Sequence, residues 1–255
     1  MTNDKPRSMV KSIDTTLDVI QYLHCSGSAT IEEIAEAVSI STSTVHRHLV
    51  TLRERGYVII EDGEHRLSFM FLTHGGKVRD KTFAADMVNK KVQQIAERTE
   101  ERAQFIIEEN GERVYLFTHF GSSGVKTDAN VGKRGPLHIS AAGKAILAHL
   151  PQERIEEILD NIKFDRLTEQ TITTPTSLEA ELEEIREQNY AFNDEELTES
   201  LRAVGVPIRL DNGAVYGAIS VSGPAHRFSK KYFREELPEL LLGAANEIEL
   251  NLKYS

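Results

Sequence analysis

The first apolar positions of the chain follow the period of a helix. Ile13, Leu17, Ile20 and Leu23 lie three or four residues apart, so they share one side of a helix. The segment CSGS follows, and its Gly27 is a typical helix stop signal. The pattern therefore predicts a first helix that ends near residue 27.

Two further helices and a hairpin are predicted next. Thr30 followed by Glu33 forms a capping-box pattern in front of a short apolar helix. After the turn VSIS, Ser41 is in place to cap a third helix. The segment GYVIIEDGEHRLSFM then gives two β-rich runs around Asp62-Gly63, a dipeptide that favours tight hairpin turns.

The third predicted helix has one apolar and one polar face. Val45, Leu49 and Leu52 share a stripe that must pack on the first two helices. The other side carries small hydroxyl side chains together with Arg47 and His46. An arginine on such a face is the natural bidentate partner of a guanine edge, and hydroxyls and helix N-termini can contact phosphates.

The order of these elements indicates a winged helix-turn-helix that binds DNA. Candidate DNA contacts are the capping residues, the polar side of the third helix and the hairpin arginine, namely Thr30, Ser41, Thr42, Ser43, Thr44, His46, Arg47, Thr51 and Arg66. His65 is a further candidate on the hairpin. The alternative is that residues 1–71 form a small helical domain that contacts proteins.

A linker separates this domain from the rest of the chain. The segment THGGKVRDKTFAADMVNKKVQQIAERTE has a helical apolar stripe with charges outside it, although Gly75 and Gly76 weaken its start. We predict a DNA-binding domain over residues 1–73, a linker helix over 74–100 and a second domain over 101–255. The alternative role of that helix is to pack on the sheet of the second domain.

The second domain reads as an α+β domain with an antiparallel sheet. Strand pairs are predicted around Asn110-Gly111 and Asn212-Gly213. Helices are predicted over residues 140–150, 152–160, 177–188 and 232–254, the last one kinked or split by Pro238. Hairpin strands with helices grouped around them are typical of this fold class.

Composition narrows the function. The 255 residues are 40% hydrophobic, contain no long uncharged apolar run and start without the apolar centre of a signal peptide, so we expect a soluble, cytoplasmic protein without membrane contact. The lone cysteine, Cys25, is expected in the core. There is no P-loop, GxSxG, HExxH or paired CxxC pattern, which predicts neither a catalytic site nor a metal or cofactor.

Candidate ligand chemistry lies in the second domain instead. Ser220 and Ser222 are two residues apart on a predicted strand, so both hydroxyls face one side of the sheet. The alternative is a polar face turned to solvent. His138 could contact a ligand, but a histidine whose ring bonds to backbone in a turn is the preferred interpretation.

Four segments of the chain resemble the IclR family of transcription regulators. They are TIEEIAEAVSISTSTVHRHLVTLRERGYV, GKRGPLHISAAGKAILAHL, NYAFNDEELTESLRAVGVPI and YGAISVSGPAHRF. The resemblance implies a GAF-like effector-binding domain whose pocket is lined by Leu137, Ala141, Ala142, Asn193, Ala203, Ser220 and Ser222. Members that bind small oxo-acids resemble one another in an Asp and a Cys at the positions of Asn193 and Ala203, and this chain departs from them there. The expected effector is a small organic acid or sugar acid.

The expected protein is thus a homodimer, possibly assembled into a tetramer, that binds double-stranded operator DNA under control of a small-molecule effector. The alternatives are a sensor or scaffold acting through protein partners, and an enzyme that uses the pocket of the second domain. The missing nucleophile and base disfavour the enzyme.

The charge of the chain suggests a working environment. The formal net charge is −10, of which residues 1–80 contribute 9 basic against 11 acidic side chains and the remainder 21 against 29. Lysines are fewer than arginines, 13 against 17. Because acidic surfaces keep proteins soluble at high salt, we hypothesise a salt-rich cytoplasm.

We predict that the protein folds more stably as KCl is raised and still binds its operator at salt concentrations that normally weaken phosphate contacts. Thermal melts and operator titrations along one KCl series test this. Folding and operator binding that were both best in dilute buffer would contradict the hypothesis.

Overall fold

The computed structural model describes residues 10–125 and 130–254, and the chain divides into two compact units, Met1–Arg79 and Asp80–Ser255. The outer ends of the first and last predicted domains, at residues 1–9 and 255, lie outside the described residues. The division falls within the predicted linker, and the exact domain boundaries stay predictions.

The first unit contains a small sheet and four helices, of which only the last residue of the fourth, Asp80, belongs to the second unit. The helices are α1 (Lys11–Ser26), α2 (Ile31–Val38), α3 (Thr42–Glu54) and α4 (Met70–Asp80). The antiparallel sheet has the order β1-β3-β2, with β1 (Ser28–Ala29), β2 (Val58–Glu61) and β3 (Glu64–Leu67). Asp62 and Gly63 both have positive φ, as the predicted tight turn requires.

In the core of this unit, the apolar stripe predicted on α3 is buried, whereas the stripe predicted on α1 is only partly buried. Val45, Leu49 and Leu52 are buried. On α1, however, Ile13 and Leu17 are 58% and 57% exposed, and the buried residues are Val19 and Leu23. Spacing alone could not distinguish two adjacent apolar sides of one helix.

Cys25 also departs from its prediction. It lies on the last turn of α1 and is exposed, not in the core. The buried side of that turn is already occupied by Leu23, two residues earlier and therefore on the other side of the helix.

The single linker helix predicted over residues 74–100 is wrong. Two helices occupy the region, α4 and α5 (Ala85–Thr99), and the break precedes Ala84, whose φ of 53° is left-handed. Val88, Val92 and Ile95 of α5 are buried in the core of the second unit. The helix therefore restarts where its apolar stripe can pack on the sheet, whereas Gly75 and Gly76 lie inside α4 without breaking it.

The second unit is built on a six-stranded antiparallel sheet of order β6-β5-β4-β9-β8-β7. Its strands are β4 (Arg102–Glu109), β5 (Glu112–Phe120), β6 (Arg134–Pro136), β7 (Ala191–Asp194), β8 (Leu201–Arg209) and β9 (Val215–Pro224). The two predicted hairpins are β4–β5 and β8–β9. The short edge strands β6 and β7 were not predicted, since three or four residues show no clear alternation.

Helices cover both faces of the sheet, and each face has its own apolar cluster. One cluster combines α5 and α9 (Leu237–Lys253) with inward residues such as Phe105 and Val221. The other combines α6 (Ala141–Leu147), α7 (Gln152–Asn161) and α8 (Pro175–Gln188) with residues such as Ile106. Pro238 is tolerated near the start of α9, directly after a π-helical turn over Tyr232–Glu236.

Candidate nucleic-acid interface and ligand pocket

The start of α3 carries a cluster of small hydroxyl side chains. Ser41 caps the helix by accepting a hydrogen bond from the backbone N–H of Thr44 at 3.2 Å. Its Oγ also lies 3.0 Å from Oγ of Ser43 and 2.9 Å from Oγ1 of Thr44. These bonds hold the first turn in a form that presents hydroxyls outward, next to the N–H groups of a helix N-terminus.

The structure places the predicted DNA contacts of α3 on an accessible side. Ser41, Thr42, Ser43, His46, Arg47 and Thr51 are exposed, and Thr44 is half-buried. Thr51 Oγ1 donates to the backbone carbonyl of Arg47 at 3.0 Å, a bond that does not involve the Arg47 side chain. Thr30 is half-buried and caps α2, with its backbone N–H donating to Glu33 at 2.8 Å.

The hairpin residues are less available than the sequence suggested. Arg66 donates through Nε to Glu61 Oε2 at 2.6 Å and is therefore paired within its own hairpin. The prediction that His65 reaches DNA is wrong, because that residue is buried. It pairs with Ala29 of β1, a strand too short to predict, and this pairing turns its side chain into the unit. Burial lowers the pKa of His65, and the charge of Arg53 lowers it further.

The second unit contains a cavity of about 350 Å³ on the α6 side of the sheet. Alternate residues of β4 and β9 form its floor, with Arg102 beside Ser222 and Gln104 beside Ser220. The intervening residues Ala103, Phe105, Ile219 and Val221 pack in the opposite core. The lining consists of Arg102, Gln104, Ile106, Arg113, Tyr115, Lys133, Ser140, Ala141, Ala142, Asn193, Leu197, Thr198, Leu201, Arg202, Ala203, Ser220 and Ser222.

A glycine sets how close α6 lies to this floor. A Cβ at Gly205 of β8 would lie 2.4 Å from the backbone nitrogen of Ala142, so any side chain there would displace the helix. Ser140 caps the helix by accepting from the N–H of Gly143 at 3.1 Å. The first residues of α6 are thereby held directly over the sheet as one wall of the cavity.

Basic side chains predominate over acidic ones in the lining of the cavity, although the chain as a whole is acidic. Four basic side chains line it, Arg102, Arg113, Lys133 and Arg202, and no aspartate or glutamate does so among the residues that the structure describes. Arg102 Nε donates to Ser222 Oγ at 3.0 Å. The buried Nε2 of Gln104 has no hydrogen-bond partner among the residues that the structure describes, and it can donate to a ligand.

Six of the seven predicted pocket residues line this cavity. They are Ala141, Ala142, Asn193, Ala203, Ser220 and Ser222. The prediction for Leu137 is wrong: its side chain is fully buried in the apolar cluster around α6 and does not reach the cavity. Asn193 donates through Nδ2 to the carbonyl of Ile139 at 2.7 Å, which fixes its amide in the wall.

The arginines and the glutamine of the floor were missed in the sequence. Arg102 and Gln104 alternate with Ala103 and Phe105, which is the same polar and apolar alternation that singled out Ser220 and Ser222. That signal was available on β4. No comparable signal existed for Arg113, since its place in the pocket depends on the unpredicted neighbour β6.

The preferred interpretation of His138 is also wrong. Its ring is only 1% exposed, and neither ring nitrogen has a hydrogen-bond partner in the structure. The ring contacts Phe164, with centroids 5.0 Å apart. Burial lowers the pKa of His138 to about 4, with further lowering by the charges of Arg113 and Lys144, so the imidazole is neutral at pH 7.

A buried ion pair anchors the loop beyond β7. Lys144 of α6 is fully buried, and its Nζ lies 2.6 Å from Glu196 Oε2 and also contacts Glu181 of α8. The carbonyl of Glu196 accepts from Thr171 Oγ1 at 2.8 Å. Because Leu197 and Thr198 follow directly and line the cavity, this network positions one of its walls.

None of the helices described within residues 10–125 and 130–254 combines the length and the apolar composition that a membrane span requires. The same residues contain no group of three His, Cys, Asp or Glu side chains placed to hold a metal ion.

Two family models match the chain in the order of its units. The model of the IclR helix-turn-helix domain matches residues 12–59, and that of the bacterial transcriptional regulator IclR C-terminal domain matches residues 80–250. The HTH-type transcriptional regulator ArcR of Halobacterium salinarum is 31% identical, with 98% of this chain and 97% of the relative covered. KdgR of Escherichia coli is 28% identical, with coverages of 98% and 96%. These relatives are named as regulators and not as enzymes.

A solved structure gives the same fold. The crystal structure of the Thermotoga maritima IclR is similar with a TM-score of 0.82 and 28% identity. The similarity covers 96% of this chain and 99% of that one. The predicted α+β class, with an N-terminal winged helix-turn-helix and a GAF-like antiparallel sheet domain, is confirmed.

The buried neutral His138 predicts an acid-sensitive fold. Its pKa is about 4 in the folded protein against 6.5 for an unperturbed histidine, so the unfolded chain takes up the proton first as the pH falls. The contribution is complete above pH 6.5 and lost towards pH 4, by about 3 kcal/mol at about 1.4 kcal/mol per pKa unit. Urea titrations at pH 7 and pH 4.5 measure the loss. His138→Phe should reduce it, whereas the exposed control His226→Gln should not, and equal losses in all three proteins would contradict the assignment.

Proposed function

Because the chain belongs to the IclR family of transcriptional regulators, we propose that α3 reads its operator and that a small acid bound in the cavity controls operator affinity. Regulation of transcription by DNA binding is the activity of the family. We propose in addition which residues of α3 contact the DNA and that the effector is an acid.

The accessible side of α3 is the single observation that carries the DNA-binding assignment. Its buried stripe is fully used by Val45, Leu49 and Leu52, while Ser43 and Arg47 lie on the exposed side. Arg47 is exposed in the second turn of α3, next to the N-terminal residues with which a recognition helix contacts base edges. Arg66 is less suited to a DNA contact than Arg47, since the Glu61 carboxylate already accepts from Nε and Nη2 of its guanidinium.

The basic lining of the cavity supports an anionic effector. In a protein of net charge −10, four basic side chains line this one cavity, and Arg113 among them has no ion pair within the described residues, whereas Arg202 pairs with Asp194 at 2.6 Å. Ser220, Ser222 and Gln104 add donors and acceptors that suit the hydroxyl or carbonyl groups of an organic acid or sugar acid. A cavity of this size is in the range of small-molecule sites.

Exposed apolar side chains of the first unit support a dimer. Val10, Ile13 and Leu17 recur at helical spacing around α1 and are all exposed, and Phe69 and Leu72 at the start of α4 are exposed as well. Apolar surface of this kind commonly marks a protein interface. A homodimer, or a tetramer formed from two dimers, would present two copies of α3 to a two-fold symmetric operator.

Control then follows from linkage. An effector changes operator affinity only as far as it binds the DNA-bound and the free arrangements with different affinity. The DNA in turn changes effector affinity by the same factor.

We predict that Arg47→Ala weakens operator binding by about 1–3 kcal/mol and relaxes the preference at one base position. Arg47→Lys keeps the charge but loses the bidentate fork, so it should also relax the preference while preserving the salt dependence. Fluorescence anisotropy with a set of single-base operator variants measures both. Arg166→Ala in the second unit is the control for loss of a surface arginine, and unchanged affinity and specificity in the Arg47 variants would show that the recognition face is assigned wrongly.

Footprinting on the DNA upstream of the gene for this protein tests the regulatory proposal as a whole. We expect two protected half-sites whose centres lie about one helical turn, or a multiple of it, apart. Addition of small organic and sugar acids should change the protein concentration needed for protection. Protection without half-site symmetry would contradict the dimer, and protection that no bound acid alters would contradict effector control.

A further inference from the structure

We infer that the effector carries two separated anionic groups and that Arg113 binds the second of them. This rests on the proposed function only in taking the cavity as the effector site. The chemical class is a dicarboxylic or phosphorylated small acid with hydroxyl or oxo groups between its two charged ends.

Arg113 is held as a binding group rather than as a surface charge. It lies near the start of β5, is only 5% exposed and lines the cavity. Its guanidinium lies flat on the adjacent β6, where a Cβ at Gly135 would come within 3.0 Å of Cζ. Nη1 donates to the carbonyl of Pro136, and the Tyr115 ring centroid is 5.8 Å from Cζ. These contacts fix the plane of the guanidinium without neutralising it.

No carboxylate of the described chain pairs with this arginine. No salt bridge to Arg113 occurs within residues 10–125 and 130–254, and its buried Nε has no hydrogen-bond partner. Buried charges in proteins are almost always paired, because an isolated one loses its hydration without compensation. A carboxylate or phosphate from a ligand would supply the missing bonds in the bidentate geometry that arginine favours.

The position of Arg113 in the sheet indicates that the ligand needs a second anionic group to bind this arginine. In the strand register, Arg102 of β4 lies opposite Ser222 of β9, whereas Arg113 of β5 lies opposite Glu108, six residues further along β4. At about 3.3 Å per residue this separates the two backbone positions by roughly 20 Å. A compact acid placed beside Ser220 and Ser222 lies four to six residues along the floor from the register position of Arg113.

The polar side chains between the two ends of the cavity indicate the chemistry of the middle part of the ligand. Gln104 presents its partnerless Nε2 there, and Ser220 donates to Gln104 Oε1 at 3.3 Å. Both can bond to hydroxyl or oxo oxygens. Glucarate has such a body with a carboxylate at each end, and gluconate is its match with one carboxylate replaced by a hydroxymethyl group.

The test is calorimetric titration of the full-length protein with glucarate, galactarate, gluconate, galactonate and 6-phosphogluconate. We expect a dianion to bind at least 10-fold more tightly than its matched monoanion. Arg113→Gln should abolish that difference while changing monoanion affinity less than 3-fold, and Arg113→Lys should retain part of it. Arg154→Gln is the control, because Arg154 pairs with Glu108 at 2.7 Å but does not line the cavity.

The outcomes distinguish a phosphate from a carboxylate as the second anionic group, and they distinguish ligand binding from control of operator affinity. Tighter binding of 6-phosphogluconate than of the aldarates would identify a phosphate, and the reverse a second carboxylate. Equal affinities for matched dianions and monoanions would overturn the inference, and so would failure of every dianion to bind. It would also be overturned if the Arg113→Gln variant melted at the wild-type temperature and still showed the full difference in affinity. Dianion binding that depends on Arg113 but leaves operator affinity unchanged would overturn effector control and leave the inference intact.

Discussion

The alternation of side chains along β4 and β9 is the constraint on which the second unit depends. Each strand places every other residue in the α5–α9 core and the remaining residues in the cavity. Phe105, Ile219 and Val221 hold the sheet against those helices, so that Gln104, Ser220 and Ser222 can stay polar beneath α6. A shift of one residue in the register would exchange the two faces and destroy both the core and the cavity together.

The parts that sequence predicted are those determined by local chemistry. Asp62-Gly63 and Asn110-Gly111 strongly favour tight turns, and Val45, Leu49 and Leu52 form a single apolar stripe that must be buried on one side of its helix. The parts that it missed depend on distant neighbours. Helix α5 starts at Ala85 because its apolar stripe packs on the sheet, and His65 turns inward because it pairs with β1, a strand of two residues. The lining role of Arg113 required β6, and the placement of Leu137 outside the cavity required the packing of α6.

Charge is distributed unevenly for a physical reason. Acidic side chains on the surface remain hydrated, so a net charge of −10 costs the fold little there. Inside the second unit, water is excluded and the same interactions are stronger. The basic lining therefore dominates locally, and His138 beside it is neutral because burial, with the charges of Arg113 and Lys144, disfavours its protonated form.

The Lys144–Glu196 pair separates the anchoring of a cavity wall from its chemistry. Lys144 and the backbone carbonyl of Glu196 hold the loop in place, whereas the next two residues, Leu197 and Thr198, line the cavity. Substitutions at these two positions can alter shape and polarity without touching the anchor. Ligand preference can therefore change through substitutions at two adjacent positions, in evolution or in the design of a biosensor, while the fold is retained.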